Sequence, residues 1–146
     1  MREKDLDALL CLYAQLDPSN AGTDPEQARL AWRQAAASNL VTYLIAEEDG
    51  TVVASCFYAV IPNLTNGCRP MAFVENVVTD ETFRGRGIAS ALLRETVARA
   101  RAAGCYKVFL QSSAKRTQAH RVYAAAGFDG DAKRAFDLRL PGTAAS

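Results

Sequence analysis

The amino-acid sequence predicts a mixed α/β (α+β) fold with a central sheet that contains both antiparallel and parallel strands. An apolar stripe at helical spacing and a second helix start come first, then a run of strand-like segments, and then strand and helix patterns in alternation. A helix that connects two strands of one sheet lets those strands run parallel. The length of 146 residues suits one domain, and no linker, repeat or low-complexity segment divides residues 1–146.

Two helices are expected before the sheet begins. Apolar residues recur at helical spacing from Leu6 to Leu16, and Asp5 is placed to cap this first helix. The second helix begins at Asp24-Pro25, where a capping residue precedes a first-turn proline, and runs to about Ala37. An antiparallel meander of three strands follows, over residues 41–46, 51–61 and 71–79, with a tight turn over 48–50.

The second half alternates strand, helix, strand, helix and strand. A long helix is predicted by the apolar stripe from Ile88 to Ala100, and Gly104 ends it. The remaining expected elements are a strand over residues 105–111, a helix over 118–126 and a last strand within 133–140. Residues 141–146 are expected to form a loose tail.

Charge and composition exclude several classes of protein. A net charge of +1 gives no general attraction to nucleic acid or to an anionic membrane. Cys11, Cys56, Cys68 and Cys105 form no C-x-x-C pair, and with His120 as the only histidine they match no familiar zinc spacing. We therefore expect no metal. The first residues have no signal-peptide pattern and no segment is apolar for long enough to span a bilayer, so a cytoplasmic location is expected.

The segment from Phe83 to Ala89, between the third strand and the long helix, carries the clearest chemical signal. Gly85 and Gly87 allow a ligand to approach the backbone, and the first amides of a helix have no partner within the helix. Such amides bind anions, and Arg84 and Arg86 add positive charge. The segment therefore predicts a phosphate-binding loop.

Three phosphate motifs compete for this loop. The dinucleotide fingerprint fails at its sixth position, which is Ser90, and the P-loop ending Gly-Lys-Ser/Thr is absent. The remaining pattern, Arg-x-x-Gly-x-Ala over Arg84 to Ala89, resembles the pyrophosphate loop of the GNAT acetyltransferase superfamily. A turn in which the glycines only cap secondary structure is the structural alternative.

Three further segments support the same resemblance. The stretch from His120 to Phe128 resembles the superfamily's helix that bears a tyrosine and ends in Gly-Phe. The stretches Gly104 to Leu110 and Val74 to Thr79 resemble the strand before that helix and the strand that carries the thioester. Four matches in the right order identify the chain as a member of the superfamily.

Some of these sequence segments also resemble the glucosamine-6-phosphate acetyltransferase branch of the superfamily. Two features depart from that branch, because Asn76 replaces its usual aspartate and the segment from Ser113 to Tyr123 is longer. The N-terminus departs from the superfamily as well. Members usually open with a strand, whereas only Met1 to Lys4 precede Asp5 here.

The resemblance implies an acetyl-CoA-dependent N-acetyltransferase in which the primary amine of a small molecule attacks the thioester directly, in a ternary complex. It implies that Glu75 is the general base, directly or through a water, and that Tyr123 is the acid beside the coenzyme sulfur. The structural alternatives are a glutamate paired with a surface arginine and a core tyrosine. His120 lies one helical turn from Tyr123 and is a second candidate base.

The resemblance also implies which residues bind the coenzyme. Backbone amides of the thioester strand, which usually contains a bulge, would hold the thioester carbonyl and the pantetheine arm. Many relatives have an asparagine where this chain has Arg116, so Ser113 or Lys115 is a substitute, or Lys115 and Arg116 meet the 3′-phosphate. The predicted coenzyme-binding residues are Val77, Val78, Thr79, Arg84, Gly85, Arg86, Gly87, Ile88, Ala89, Ser113 and Tyr123.

Two other functions remain open at this stage. A module that binds an acyl-CoA without catalysis would need the same loop but neither Glu75 nor Tyr123. A nucleotide-binding regulatory domain would need one of the motifs that fail. The acceptor amine is not defined by the sequence, and neither is the oligomeric state, although homodimers are common in the superfamily.

Overall fold

The computed structural model describes residues 2–140 as a four-stranded sheet with helices on both faces. The helices are α1 (Leu6–Leu16), α2 (Pro25–Ala37), α3 (Ile88–Ala102) and α4 (Thr117–Ala125), and the strands are β1 (Val41–Glu48), β2 (Thr51–Ile61), β3 (Met71–Thr79) and β4 (Lys107–Leu110). The strand order is β1-β2-β3-β4. The first three strands are antiparallel, whereas β4 runs parallel to β3 after the crossover through α3. The predicted mixed α/β fold is confirmed.

The two N-terminal helices begin where expected, but only one has the expected cap. The Asp24 carboxylate accepts a hydrogen bond from the Glu26 amide at 3.1 Å, and Pro25 occupies the first turn of α2. Asp5 precedes α1 but does not cap it. Its buried carboxylate instead accepts the backbone amide of Arg2 at 2.6 Å, because residues 3–5 form a 3-10 turn that brings this amide closer. No strand precedes α1 among the described residues.

The β1–β2 hairpin extends further than expected. Glu48 pairs with Thr51, so only Asp49 and Gly50 form the connection. Their φ angles are 50° and 78°, and two consecutive positive φ angles match the twist of a hairpin. An aspartate followed by a glycine adopts this turn at low cost, which lets β1 continue two residues beyond the predicted end at residue 46.

The main hydrophobic core lies between the sheet and α3. The buried face of α3 consists of Leu92, Leu93, Thr96 and Ala100, and it packs against β1, β2 and β3. On the opposite face of the sheet, α1 packs against β2 and β3 and α2 packs against β1. Within residues 2–140, none of the helices combines the length and the apolar character needed to cross a membrane.

The C-terminal region differs from the prediction in two ways. The expected strand within residues 105–111 is limited to β4, because the Cys105 amide donates to Ala100 and completes the end of α3. The expected last strand within residues 133–140 is wrong. This segment forms no strand, and the side chains of Phe136, Leu138 and Leu140 are 88%, 85% and 81% exposed. Alternating apolar residues indicate which face of a strand could be buried, but a strand also needs a neighbouring edge to pair with. The predicted tail at 141–146 lies outside the described residues.

Candidate active site

A β-bulge in β3 sets the positions of the candidate catalytic residues. Glu75 pairs with Phe57 and Val78 pairs with Ser55, so two residues of β3 lie opposite a single residue of β2. Asn76, in the bulge, has a φ of 53°. Val74 and Val77 both contact the core under α3, whereas an unbroken strand would place them on opposite faces.

The sheet splits beside this bulge. Pairing between β3 and β4 ends at Val74 and Leu110, whereas β3 continues to Thr79. The divergence leaves a cleft of about 50 Å³ that opens along the unpaired edge of β3. The residues that line it are Leu16, Val74, Glu75, Asn76, Val77, Leu110, Gln111, Arg116 and Tyr123. The structure therefore brings the two predicted catalytic residues, Glu75 and Tyr123, into one cleft.

Glu75 projects into the cleft as a half-buried carboxylate. Burial raises its pKa above the ordinary value for glutamate. The Asn76 amide, 3.3 Å from Oε2, stabilises the charged form and offsets part of this increase in pKa. Glu75 makes no ion pair with any residue in the described part of the chain, so the expected alternative of a glutamate paired with a surface arginine is not observed. A carboxylate with a raised pKa is a stronger base than an exposed one.

Tyr123 enters the cleft from α4. Its ring contacts Phe128 edge-on at 6.4 Å between centroids, and its carbonyl accepts the Phe128 amide at 3.0 Å, so the turn after α4 holds the tyrosine in place. Burial raises the pKa of the phenol, Arg116 and the Ser112 hydroxyl lower it, and the Glu75 charge raises it. The phenol therefore keeps its proton at neutral pH and can donate it.

The connection between β4 and α4 closes one end of the cleft. The Arg116 guanidinium donates to the carbonyl of Leu16 at 3.3 Å and thereby links α4 to the end of α1. The Ser113 hydroxyl accepts the Lys115 amide at 3.4 Å. His120 Nε2 lies 3.0 Å from the Ser113 carbonyl oxygen, and since a carbonyl only accepts, Nε2 carries a hydrogen. His120 does not line the cleft.

The glycine loop lies at the other side of β3, before α3. Gly85 and Gly87 have φ angles of 78° and 79°, a conformation that other residues rarely adopt. The first intrahelical bond of α3 joins the Ala91 amide to the Gly87 carbonyl, which leaves the amides of Ile88 and Ala89 without a partner inside the helix. Apart from the glycine itself and its chain neighbours, no heavy atom lies within 4 Å of the position where a Cβ would be at either glycine. This open space beside free amides suits a phosphate group.

Both arginines of the loop are anchored. Arg84 Nε donates to the Thr79 carbonyl at 3.2 Å and ties the loop to the end of β3. Arg86 forms an ion pair with Glu48 at 2.7 Å and lies 5.0 Å from the centroid of the Phe83 ring. Both members of the pair are about half exposed, so it adds little to stability and positions the guanidinium at the mouth of the loop.

A row of aromatic side chains on the α1/α2 face of the sheet is not predicted by the sequence patterns. Tyr43 pairs with Phe57, which pairs with Glu75, and Trp32 of α2 contacts Tyr43. The sequence contains these aromatics within strand and helix patterns, but their alignment with Glu75 depends on the register of three strands. Tyr13 of α1 faces the same side of the sheet, and its phenol oxygen is buried without a hydrogen-bond partner.

Comparison with known proteins identifies the family. The model of the acetyltransferase (GNAT) family matches residues 6–128. The chain therefore belongs to the GNAT acetyltransferase family, and the predicted N-acetyltransferase class is confirmed.

Similar proteins of two kinds carry activity names. A glucosamine 6-phosphate N-acetyltransferase from Trypanosoma brucei brucei is 31% identical over 115 residues, which cover 79% of this chain and 78% of that protein. An aminoglycoside N(6')-acetyltransferase type 1 from Serratia marcescens is 33% identical over 127 residues, 85% of each chain. A solved structure from Agrobacterium tumefaciens str. C58, provisionally assigned as an acetyltransferase, is 36% identical, with a TM-score of 0.90 over 96% of each chain.

Proposed function

We propose that this protein transfers the acetyl group of acetyl-CoA to the primary amine of a small molecule, by direct attack within a ternary complex. The observation that carries this proposal is that Glu75 and Tyr123 line one cleft, where β3 and β4 separate. The relatives that carry activity names are N-acetyltransferases of amino sugars and aminoglycosides, and both of these substrates present an amine.

The coenzyme would extend from the glycine loop into the cleft. In this proposal, the free amides at the start of α3 bind the pyrophosphate, supported by the charge of Arg84 and Arg86. The open edge of β3 holds the pantetheine arm and the thioester carbonyl through backbone groups of Val77, Val78 and Thr79. Pairing between β3 and β4 ends at Val74 and Leu110, so this edge of β3 is free to bind a ligand.

The residues of the cleft supply the two proton transfers. Glu75 accepts the proton that the amine must lose, directly or through a water, while the nitrogen forms its bond to the acetyl carbon. Tyr123 donates a proton to the sulfur as the carbon–sulfur bond breaks. Bound acetyl-CoA supplies the activated acetyl thioester, so no covalent bond to the protein is required.

We further propose that the reaction takes place in the cytoplasm. Cys11, Cys56, Cys68 and Cys105 are all free thiols, and Cys56 is buried beside Thr96 with no cysteine near it. Unpaired cysteines of this kind are typical of reducing compartments. A fluorescent fusion that accumulated outside the cytoplasm would contradict this assignment.

Calorimetric titration of the purified protein with acetyl-CoA, ATP and NAD tests the coenzyme assignment. We expect selective micromolar binding of acetyl-CoA. Thiol release in the presence of a panel of primary amines then tests the transfer. Tight binding of acetyl-CoA without thiol release from any amine would indicate a non-catalytic acyl-CoA-binding module, and preferential binding of ATP or NAD would contradict the proposal.

A further inference from the structure

A second cavity, of about 220 Å³, lies between α1, α2 and β1. Its walls are mainly aliphatic and aromatic, and none of the lining side chains carries a charge. The lining residues are Leu6, Leu9, Leu10, Tyr13, Asn20, Thr23, Ala28, Ala31, Trp32 and Tyr43. A cavity of this size and character fits an aliphatic chain or a single aromatic ring.

The polar side chains in the wall are mostly engaged with the protein itself. The Asn20 amide donates to the Tyr13 carbonyl at 3.1 Å, and the Thr23 hydroxyl donates to the Asn20 carbonyl at 2.8 Å. The phenol oxygen of Tyr13 is buried and has no hydrogen-bond partner. The cavity therefore offers a ligand a mainly apolar surface and nothing that could neutralise an ionic group.

A row of aromatic rings connects this cavity to the candidate base. Trp32 and Tyr43 lie 6.3 Å apart between ring centroids, and Tyr43 and Phe57 lie 5.4 Å apart. Phe57 is directly opposite Glu75 in the β2–β3 register. Because neighbouring strands are about 4.8 Å apart, the wall of the cavity is about 10 Å from Glu75.

We propose that the acceptor is a primary amine with an apolar body, either an alkyl chain or an aromatic ring, whose amine lies at Glu75 and whose body extends over Phe57 into this cavity. This inference depends on the proposed function, because it assigns the acceptor of the same site. A phosphorylated amino sugar would need cationic side chains around its phosphate. An aminoglycoside, which carries several positive charges, would need carboxylates. The cavity provides neither.

Fluorescence of Trp32 tests occupancy of the cavity directly. Trp32 is the only tryptophan in the chain and forms part of the wall, so its emission reports on this cavity. Hexylamine does not absorb at the wavelengths at which tryptophan is excited or emits. In the presence of CoA, it is expected to change the emission in a saturable way. Glucosamine 6-phosphate and kanamycin are expected to leave it unchanged.

Thiol release with a series of amines tests the same inference by catalysis. From propylamine to butylamine and hexylamine, kcat/KM is expected to rise about fourfold per methylene, because each added group leaves water for an apolar surface. The aromatic amine 2-phenylethylamine is expected to exceed propylamine. Glucosamine 6-phosphate and kanamycin are expected to be poorer acceptors than hexylamine.

A pair of matched variants on α2 tests whether the dependence of kcat/KM on chain length arises in this cavity. Ala31 lines the cavity at an exposed position of α2, so Ala31→Phe is expected to narrow the cavity and to abolish the rise with chain length while propylamine keeps its activity. Ala36→Phe makes the same change at an exposed position of α2 that does not line the cavity, and it is expected to preserve the rise. Thermal melting of both variants shows whether they fold.

The outcomes separate this inference from the proposed function. Failure to bind acetyl-CoA would overturn both. If acetyl-CoA binds but glucosamine 6-phosphate or kanamycin is preferred over hexylamine, or no amine of the series is acetylated, the apolar acceptor is wrong and the coenzyme assignment remains. An unchanged length dependence in Ala31→Phe would show that the apolar body binds elsewhere.

Discussion

Glu75 and Tyr123 face one cleft although the first lies on β3 and the second lies on α4, beyond the α3 crossover. They meet because β4 pairs with β3 only as far as Val74 and Leu110, and α4 follows directly after that divergence. The Glu75 charge contributes to the raised pKa of Tyr123. At neutral pH this favours an ionised carboxylate beside a protonated phenol, which is the arrangement that a base and an acid require.

Replacing Tyr123 with phenylalanine tests the proposed acid. The phenol is expected to act only when the carbon–sulfur bond breaks, so Tyr123→Phe should lower kcat about 100-fold. The dissociation constant of acetyl-CoA, measured by calorimetry, should stay within about twofold. Tyr106→Phe makes the same change outside the cleft and should have little effect on either quantity. Equal losses in kcat and in coenzyme affinity would assign Tyr123 a structural role only.

Replacing Glu75 with glutamine tests the proposed base through the pH dependence of the rate. The base must be ionised, so kcat/KM of the parent protein should fall as the pH drops through the raised pKa of Glu75, above the ordinary glutamate value of 4.5. Glu75→Gln should lower kcat/KM about 100-fold and remove this acid limb. Glu81→Gln, at an exposed carboxylate, should retain both the value of kcat/KM and its fall at low pH. If kcat/KM of Glu75→Gln still falls at low pH in the same way, another group is responsible for the fall.

The same substitution should change stability with pH. The folded protein holds the Glu75 proton more tightly than the unfolded chain does, because burial raises the pKa. The half-buried carboxylate therefore opposes folding above its folded-state pKa, and this penalty vanishes below the unfolded-state pKa. Glu75→Gln should melt at a higher temperature than the parent at pH 7.5, and the difference should shrink as the pH falls. A difference independent of pH would mean that desolvation of this charge is not the cause.

The glycine loop can be tested with glutamate at Gly87. Gly87→Glu should abolish measurable acetyl-CoA binding, because it places bulk and negative charge beside the free amides of α3. Gly67→Glu is the matched control, since Gly67 also has a positive φ and open surroundings. Both variants carry the cost of a positive φ, about 1–2 kcal/mol. Unchanged acetyl-CoA affinity in Gly87→Glu would show that the phosphates bind elsewhere.

His120 is expected to be dispensable for catalysis. Its Nε2 hydrogen is donated to the Ser113 carbonyl, and the ring does not line the cleft. His120→Ala should lower kcat less than about fivefold, well below the effect of losing a general base. Loss of the Ser113 contact should loosen the connection before α4, which proteolysis would detect. A 100-fold loss in kcat would make His120 the base instead of Glu75.

Most of the fold could be predicted from the sequence because its signals are local. Helical spacing defined α1 and α3, and the Asp24-Pro25 cap located the start of α2 within the sequence. The two errors have different causes. Asp5 accepts the amide of Arg2, which is close in sequence, instead of capping α1. The alternating segment at 133–140 forms no strand, because a strand also needs a neighbouring edge to pair with.

The candidate site also has some features that could be predicted from the sequence and others that could not. The conformation of the glycine loop was predictable because glycines adopt positive φ angles easily and the first amides of a helix have no partner inside the helix. Glu75 and Tyr123 were proposed from a family resemblance, and their shared cleft appears only where the pairing of β3 and β4 ends. The aromatic row could not be predicted, because the alignment of Tyr43, Phe57 and Glu75 depends on two strand registers.

The sequence alone determined the order of the helices α1 to α4 and the strands β1 to β4, the glycine loop before α3 and the family, because each of these depends on patterns that are local along the chain. Only the tertiary structure decided that an acidic and a phenolic side chain share a cleft and that an uncharged cavity lies about two strand spacings, roughly 10 Å, from the candidate base. The physical reason is that strand register, the bulge at Asn76 and the divergence of β3 from β4 arise from long-range pairing. Residue spacing along the chain does not specify which strand edges meet or where they part.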